Sequence, residues 1–129
     1  MKIASIDVGL KRIGVAICLD GQIVFPQDAI LRKNRNQASR DVREFLYEWN
    51  IEKLVVGLPK GSSSQDEMER RIKHFVSLLN LDNIEVVYQD EQFSSIEAKE
   101  LTQGVFRHKR DGKIDSISAK IILERWLGV

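Results

Sequence analysis

The sequence predicts an α/β protein in which helices flank a mixed five-stranded sheet. Three observations support this prediction. The first 25 residues contain three short strand-like runs separated by turn residues, which is typical of antiparallel strands. The segment 53–58, KLVVGL, is apolar apart from its first residue, as expected of a central parallel strand covered on both faces. Around the later strands, apolar residues recur at helical spacing.

The antiparallel part is predicted to be a three-stranded meander. Its strands are expected at residues 2–7, 12–19 and 22–25. The second run alternates large apolar residues with small ones, so one face of that strand should allow a neighbouring element to pack closely. Asp20-Gly21 favours a tight hairpin turn before the third strand, which Pro26 is expected to end.

After the meander, the predicted elements alternate between helix and strand. They are a helix over 36–49, a strand at 53–58, a helix over 64–79, a strand at 84–89, a short helix over 94–104 and a last helix over 114–127. Two capping boxes, Ser64 with Glu67 and Ser94 with Glu97, mark helix starts. Residues 104–113, GVFRHKRDGK, are predicted to form a basic loop. With right-handed crossovers this order gives the ribonuclease H-like arrangement, and we expect one domain over 1–129.

Composition excludes several classes of protein. The formal net charge is +1, so bulk positive charge is not what would hold a nucleic acid. One cysteine and two separated histidines give neither a disulfide framework nor a zinc pattern. No apolar stretch approaches the roughly 20 residues that a membrane span requires. We therefore expect a protein of the reducing cytoplasm.

Acidic residues follow two of the predicted strands and begin the last helix. They are Asp7, Asp90, Glu91 and Asp115. The carboxyl ends of strands are where reactive groups gather in an α/β sheet. Ser5 shares a face with Asp7, and small residues surround Asp115. The last helix can therefore lie close to the first strand and bring these acids together.

A cluster of three carboxylates predicts a metal site. Like charges that share a site repel one another unless a cation neutralises them. An all-oxygen ligand set suits Mg²⁺ or Mn²⁺, and two such ions about 3.5–4 Å apart could activate water and stabilise the departing oxygen at a phosphate. Asp90 and Glu91 leave the strand on opposite faces, so spacing alone leaves open which of them is the ligand.

Four segments resemble the YqgF family of RuvC-like Holliday-junction resolvases, which have a ribonuclease H-like fold. They are IDVGLKRIGVA at 6–16, VGLP at 56–59, DEQFSSIEA at 90–98 and IDSISA at 114–119. The resemblance implies a hydrolase acting on ester bonds, a two-metal-type endonuclease that processes the 5′ end of the 16S rRNA precursor. It implies Asp7, Glu91 and Asp115 as catalytic acids and metal ligands, with Asp90 as the alternative to Glu91. Two other functions stay open: a Holliday junction resolvase acting on DNA, and a non-catalytic ribosome- or RNA-binding factor.

Basic and hydroxyl residues near the acids are predicted to hold phosphates, which positions a nucleic acid without reading its sequence. These residues are Lys11, Arg12, Lys60, Ser62, Arg107, Lys109, Arg110 and Lys113. The expected partner is nucleic acid, above all an rRNA precursor, and the ribosome is a further candidate. Two positions differ from the patterns of the family and its relatives. Gln92 replaces the usual arginine, and Ser118 stands where related junction resolvases carry a fourth acid.

Overall fold

A five-stranded sheet with helices on both faces forms the described part of the protein. The computed structural model describes residues 1–59, 65–91 and 112–129, and for residues 65, 66, 91 and 112–115 it describes the backbone alone. The elements are β1 (Ile3–Val8), β2 (Arg12–Cys18), β3 (Val24–Leu31), α1 (Arg35–Glu48), β4 (Lys53–Pro59), α2 (Gln65–Leu79), β5 (Glu85–Glu91) and α3 (Gly112–Leu127).

The strand order is β3-β2-β1-β4-β5. β1 pairs antiparallel with β2, and β2 antiparallel with β3. β4 lies parallel between β1 and β5. The predicted mixed sheet is therefore confirmed. The parallel strands β1, β4 and β5 end on one side of the sheet, which we call the carboxyl edge.

The two faces of the sheet carry separate apolar layers. On one face α1 and α2 pack against residues such as Ile6 and Val56, with Phe75 fully buried between them. On the other face α3 packs against Val55 and Ala16. Because both faces are covered, the central strand β4 is buried along most of its length, as its apolar sequence predicts. In the described part of the chain, no helix is long and apolar enough to cross a membrane.

The third strand is longer than predicted. It runs from Val24 to Leu31 and passes through Pro26, which pairs with Ala16 of β2. The prediction that Pro26 ends this strand is wrong because β3 lies at the edge of the sheet and pairs with β2 alone. An edge strand can turn the missing N–H of proline away from its partner, which a central strand cannot do.

Two helix starts also differ from the prediction. α1 begins at Arg35 because Asn34 caps it: Gln37 N donates to Asn34 Oδ1 at 2.7 Å in a capping box. α3 begins at Gly112, so Gly112 and Lys113 belong to the helix and not to the predicted basic loop. Three predicted features lie outside the described residues: the rest of that loop, the helix cap at Ser64 and the helix over 94–104.

Candidate functional site

Asp7 is held in the most central part of the sheet. It lies in β1 next to the fully buried Ile6, and it is itself half-buried. Its partner across the antiparallel pair with β2 is Gly14, which has no side chain. The pairing fixes the backbone of Asp7 at the carboxyl edge, and its partner Gly14 places no side chain beside it.

The amino-terminal half of α3 is fastened to β1 and β2 by two buried hydrogen bonds. Ser5 Oγ donates to the carbonyl oxygen of Ala119 at 2.6 Å, and Val15 N donates to Ser116 Oγ at 3.0 Å. Ser5, Ser116 and Ala119 have no exposed surface. The predicted close approach of the small-residue helix to β1 is confirmed.

A third close contact brings α3 against β4. A Cβ atom on Gly57 would overlap Cδ1 of Ile122, and Ile122 is itself buried. Any larger residue at this position would force the buried Ile122 side chain to move. Glycine and small residues on three neighbouring strands therefore fix the position of α3 over the sheet.

The backbone of Asp115 lies near Asp7 because of this packing. Ser116, the next residue, binds Val15 of β2, and the neighbour of Val15 in that strand is Gly14. Gly14 is in turn the pairing partner of Asp7. The start of α3 therefore lies close to the end of β1, in the middle of the carboxyl edge.

The register of β5 separates Asp90 from Glu91. Val87 packs into the apolar layer beneath α3, whereas Tyr88 lies on the other face, where Lys73 Nζ of α2 is 5.6 Å from its ring centroid. Since successive residues alternate between faces, Glu91 belongs to the face of Val87 and Asp90 to that of Tyr88. Asp90 is exposed.

The backbone of β1, β5 and α3 is consistent with the predicted grouping of three acids on the α3 side of the carboxyl edge. Asp7 follows Ser5 by two residues and so shares the face that α3 covers. Among the residues whose side chains are described, no group of three or more His, Cys, Asp or Glu could hold a metal. The side chains of Glu91 and Asp115 lie outside that description, so their grouping with Asp7 stays a prediction.

Of the predicted phosphate-binding residues, two are described with their side chains. Lys11 is exposed in the turn between β1 and β2, and Arg12 is half-buried at the start of β2. Gly9 N donates to the carbonyl oxygen of Arg12 at 3.0 Å, and a Cβ on Gly9 would overlap that oxygen. The turn that carries Lys11 therefore needs glycine. Lys113 is in the first turn of α3, and the others lie outside the described residues: Lys60, Ser62, Arg107, Lys109 and Arg110.

The structure also has a basic pocket that the sequence did not reveal. It lies on the α2 side of the same β1–β2 turn and brings together Arg32, Arg35, Arg71 and His74. In the sequence, the first two belong to a basic stretch typical of a solvated surface, and His74 lies on a helix with no ligand spacing. Only the fold brings these separate segments together, so no local sequence signal could have identified the pocket.

Comparison with known proteins identifies the family. The family model described as "RuvX: Holliday junction resolvase" matches residues 1–128. The chain belongs to the RuvX family. The predicted resemblance to YqgF proteins, which is the same family, is therefore confirmed.

Curated relatives of this RuvX-family protein match along its whole length. A protein of Sulfurovum sp. (strain NBC37-1) is 78% identical over 129 residues, which is 100% of both chains. A protein of Sulfurimonas denitrificans is 52% identical over 127 residues, covering 98% of this chain and 97% of the relative. Both relatives are described as "Putative pre-16S rRNA nuclease".

Solved structures of junction resolvases share the fold. The T. thermophilus RuvC in complex with Holliday junction substrate superimposes with a TM-score of 0.61 and 12% identity, covering 100% of this chain and 97% of RuvC. The fowlpox virus Holliday junction resolvase gives a TM-score of 0.57 and 15% identity, covering 99% of each chain. The predicted ribonuclease H-like fold is confirmed, in its RuvC-like form.

Proposed function

We propose that this RuvX-family protein is a metal-dependent nuclease that hydrolyses phosphodiester bonds at the 5′ end of the 16S rRNA precursor. The observation that supports it best is the register of β1 and β5 together with the packing of α3. The register and the packing support the proposal that Asp7, Glu91 and Asp115 act together on one side of the carboxyl edge. The name of the relatives, which are up to 78% identical, supports rRNA as the substrate.

The donor set fits a hard divalent cation. Asp7 is half-buried beside fully buried residues, where a carboxylate is costly unless it is neutralised. Asp7, Glu91 and Asp115 offer only carboxylate oxygens, which suit Mg²⁺ or Mn²⁺. Such ions, when bound, neutralise charge on the scissile phosphate and activate the attacking water.

Glu91 is the better candidate than Asp90 for the third acid. The alternation along β5 assigns Glu91 to the face that α3 covers and Asp90 to the face of α2. A ligand that acts with Asp7 must lie on the α3 side, because Ser5 contacts α3 two residues before Asp7. The structure therefore supports a role for Glu91 that spacing alone left open.

The protein's own residues would hold the nucleic acid over this edge. Lys11 and Arg12 follow Asp7 in the β1–β2 turn, and their cations would bind phosphates of the strand that enters. The same role is proposed for the other predicted phosphate-binding residues: Lys60, Ser62, Arg107, Lys109, Arg110 and Lys113. Contacts of this kind orient a strand by its backbone and shape, which suits a structured rRNA precursor.

Cleavage of a labelled RNA that spans the 5′ precursor segment of 16S rRNA tests the proposal. With Mn²⁺ we expect cleavage by the wild type, and a loss of about 100-fold or more in rate for Asp7→Asn, Glu91→Gln and Asp115→Asn. EDTA should abolish the activity. Asp90→Asn is the matched control, and its rate should stay within about threefold of the wild type. Cleavage at the wild-type rate by a folded Asp7→Asn variant would refute the proposal.

A second candidate function is resolution of four-way DNA junctions, which the description of the family model favours. The same variants, assayed on a four-way DNA junction, separate the two substrates by their relative kcat/KM. If the RNA is bound equally well with and without Mn²⁺ by wild type and Asp7→Asn, and neither substrate is cut, the protein is a non-catalytic binding factor.

A further inference from the structure

A pocket of about 230 Å³ opens on the side of the β1–β2 turn that faces α1 and α2. It lies between this turn, the start of α1 and the middle of α2. Its lining is apolar at the floor and basic at the rim. The lining residues are Val8, Gly9, Leu10, Arg32, Arg35, Met68, Arg71, Ile72, His74 and Phe75.

Arg32 is held in a fixed position in this pocket. Its Nη1 donates to the carbonyl oxygen of Gly9 at 2.9 Å, and its guanidinium carbon lies 5.4 Å from the centre of the Phe75 ring. Phe75 is buried, so the ring is a rigid support. A guanidinium carries five N–H donors. Within the described ranges, the structure gives the Arg32 guanidinium one hydrogen-bond acceptor, the carbonyl oxygen of Gly9. The Arg32 guanidinium is therefore already ordered, so that binding of a ligand costs little conformational entropy of this side chain.

The rim is strongly positive. Arg32, Arg35 and Arg71 contribute three guanidinium groups, and none of the lining residues within the described part of the chain is acidic. Arg71 is paired with Glu67 at 2.6 Å, but both side chains are more than half exposed. An exposed pair of this kind, four residues apart on a helix, is weak because solvent screens both charges. An incoming anion can therefore compete with Glu67 for Arg71.

The floor strengthens binding of an anion at the rim. Val8, Ile72 and Phe75 are buried apolar residues, so the inner wall of the pocket has a low dielectric constant. Charges interact more strongly beside such a wall than in open water. The guanidinium groups match the oxygens of a phosphate in geometry and can bind it through two parallel hydrogen bonds.

The position of the pocket indicates where the phosphate comes from. Val8, Gly9 and Leu10 form one wall and directly follow Asp7, whose side of the sheet carries the predicted acids. Leu10 at the pocket is 67% exposed, and Lys11 beside it is also exposed. A nucleic-acid strand that crosses this turn can therefore reach the acids on one side and the pocket on the other.

We propose that this pocket binds a backbone phosphate of the nucleic-acid strand that crosses the β1–β2 turn. The inference rests on the proposed nuclease function, and it adds a binding site on the face of the sheet opposite the acids. The pocket holds the strand by charge and does not read its sequence, since phosphate contacts carry no sequence information.

Binding of a fluorescein-labelled precursor RNA, measured by anisotropy in EDTA over a series of KCl concentrations, tests the pocket without cleavage. Arg35→Gln and Arg71→Ala should each weaken binding about three- to tenfold. Each should also lower the slope of log affinity against log salt by about 0.7–0.9, the value for one lost phosphate contact. Arg70→Ala is the matched control, because Arg70 is an exposed neighbour on α2 that does not line the pocket. It should bind as the wild type does.

Two outcomes would overturn the inference. In the first, Arg35→Gln and Arg71→Ala, with unchanged melting temperatures, bind the RNA as Arg70→Ala does. In the second, inorganic phosphate raises the melting temperature of the wild type but not of Arg71→Ala, while the RNA affinities of the two proteins agree. The pocket would then be a site for small anions. Cleavage tests the nuclease function separately. If the wild type binds RNA through Arg71 but does not cut it in Mn²⁺, the proposed nuclease function is refuted and the proposed phosphate-binding pocket still stands.

Discussion

The hydrogen bond between Val15 and Ser116 is the contact that fixes the start of α3 to the sheet. Val15 N donates to Ser116 Oγ at 3.0 Å, and both residues have no exposed surface. We predict that Ser116→Ala destabilises the protein, because it leaves the N–H of Val15 buried without this acceptor. It should also disturb the position of Asp115, the preceding residue.

The size of the effect follows from two opposing contributions. A buried donor that loses its partner costs about 1–3 kcal/mol. Alanine is the better helix former and returns roughly 0.5 kcal/mol. The net loss of free energy of unfolding should therefore be about 0.5–2.5 kcal/mol, which lowers the melting temperature of a domain this size by about 2–9 °C.

Urea unfolding followed by circular dichroism measures this loss. Ser118→Ala is the matched control, because Ser118 is also buried on α3 but has no hydrogen-bond partner within the described ranges. It should leave the stability unchanged within about 0.5 kcal/mol. Equal stabilities for Ser116→Ala, Ser118→Ala and the wild type would refute the reasoning that this bond fastens α3.

Three further predictions concern other parts of the fold. Gly57→Ala should lower the free energy of unfolding, measured by urea unfolding, by about 1–3 kcal/mol, because the new Cβ overlaps Ile122. Adding Ile122→Val to this variant should recover part of the loss. Backbone N–H groups of the hairpin turn donate to the Asp20 carboxylate and lower its pKa below 3.8. At about pH 6 the wild type should therefore have a higher melting temperature than Asp20→Ala. That difference should disappear as the pH falls through the lowered pKa, and a constant difference down to about pH 2 would contradict it. In EDTA, Asp7→Asn should melt at or above the wild type because repulsion among the acids is relieved, and Mn²⁺ should raise the melting temperature of the wild type alone.

Much of the sheet could be predicted because its signals are local. The alternation of large and small residues in β2 predicted a closely packed neighbour on the small-residue face, and α3 packs there with Ala16 and Cys18. The apolar run of β4 likewise predicted a strand covered on both faces. The prediction that Pro26 ends β3 was wrong because the effect of proline depends on whether its strand lies at an edge of the sheet. Strand order is not a local property of the sequence.

The candidate site was predicted in part. The positions of Asp7 near the end of β1 and of Asp115 in the first turn of α3 follow from pattern. The choice between Asp90 and Glu91 depends on which face of β5 meets α3. That choice needs the pairing of β5 with β4, in which Pro59 lies opposite Glu91. The basic pocket was beyond prediction altogether because its arginines come from segments about 40 residues apart in the chain.

We expect Asp7, Glu91 and Asp115 together to hold divalent cations. Binding of Mn²⁺, followed by electron paramagnetic resonance, tests this metal site. The wild type and Asp90→Asn should both remove free Mn²⁺ from solution. Asp7→Asn, Glu91→Gln and Asp115→Asn should each bind Mn²⁺ at least about tenfold more weakly. Undiminished Mn²⁺ binding by a folded Asp7→Asn or Glu91→Gln variant would show that these carboxylates do not form the metal site.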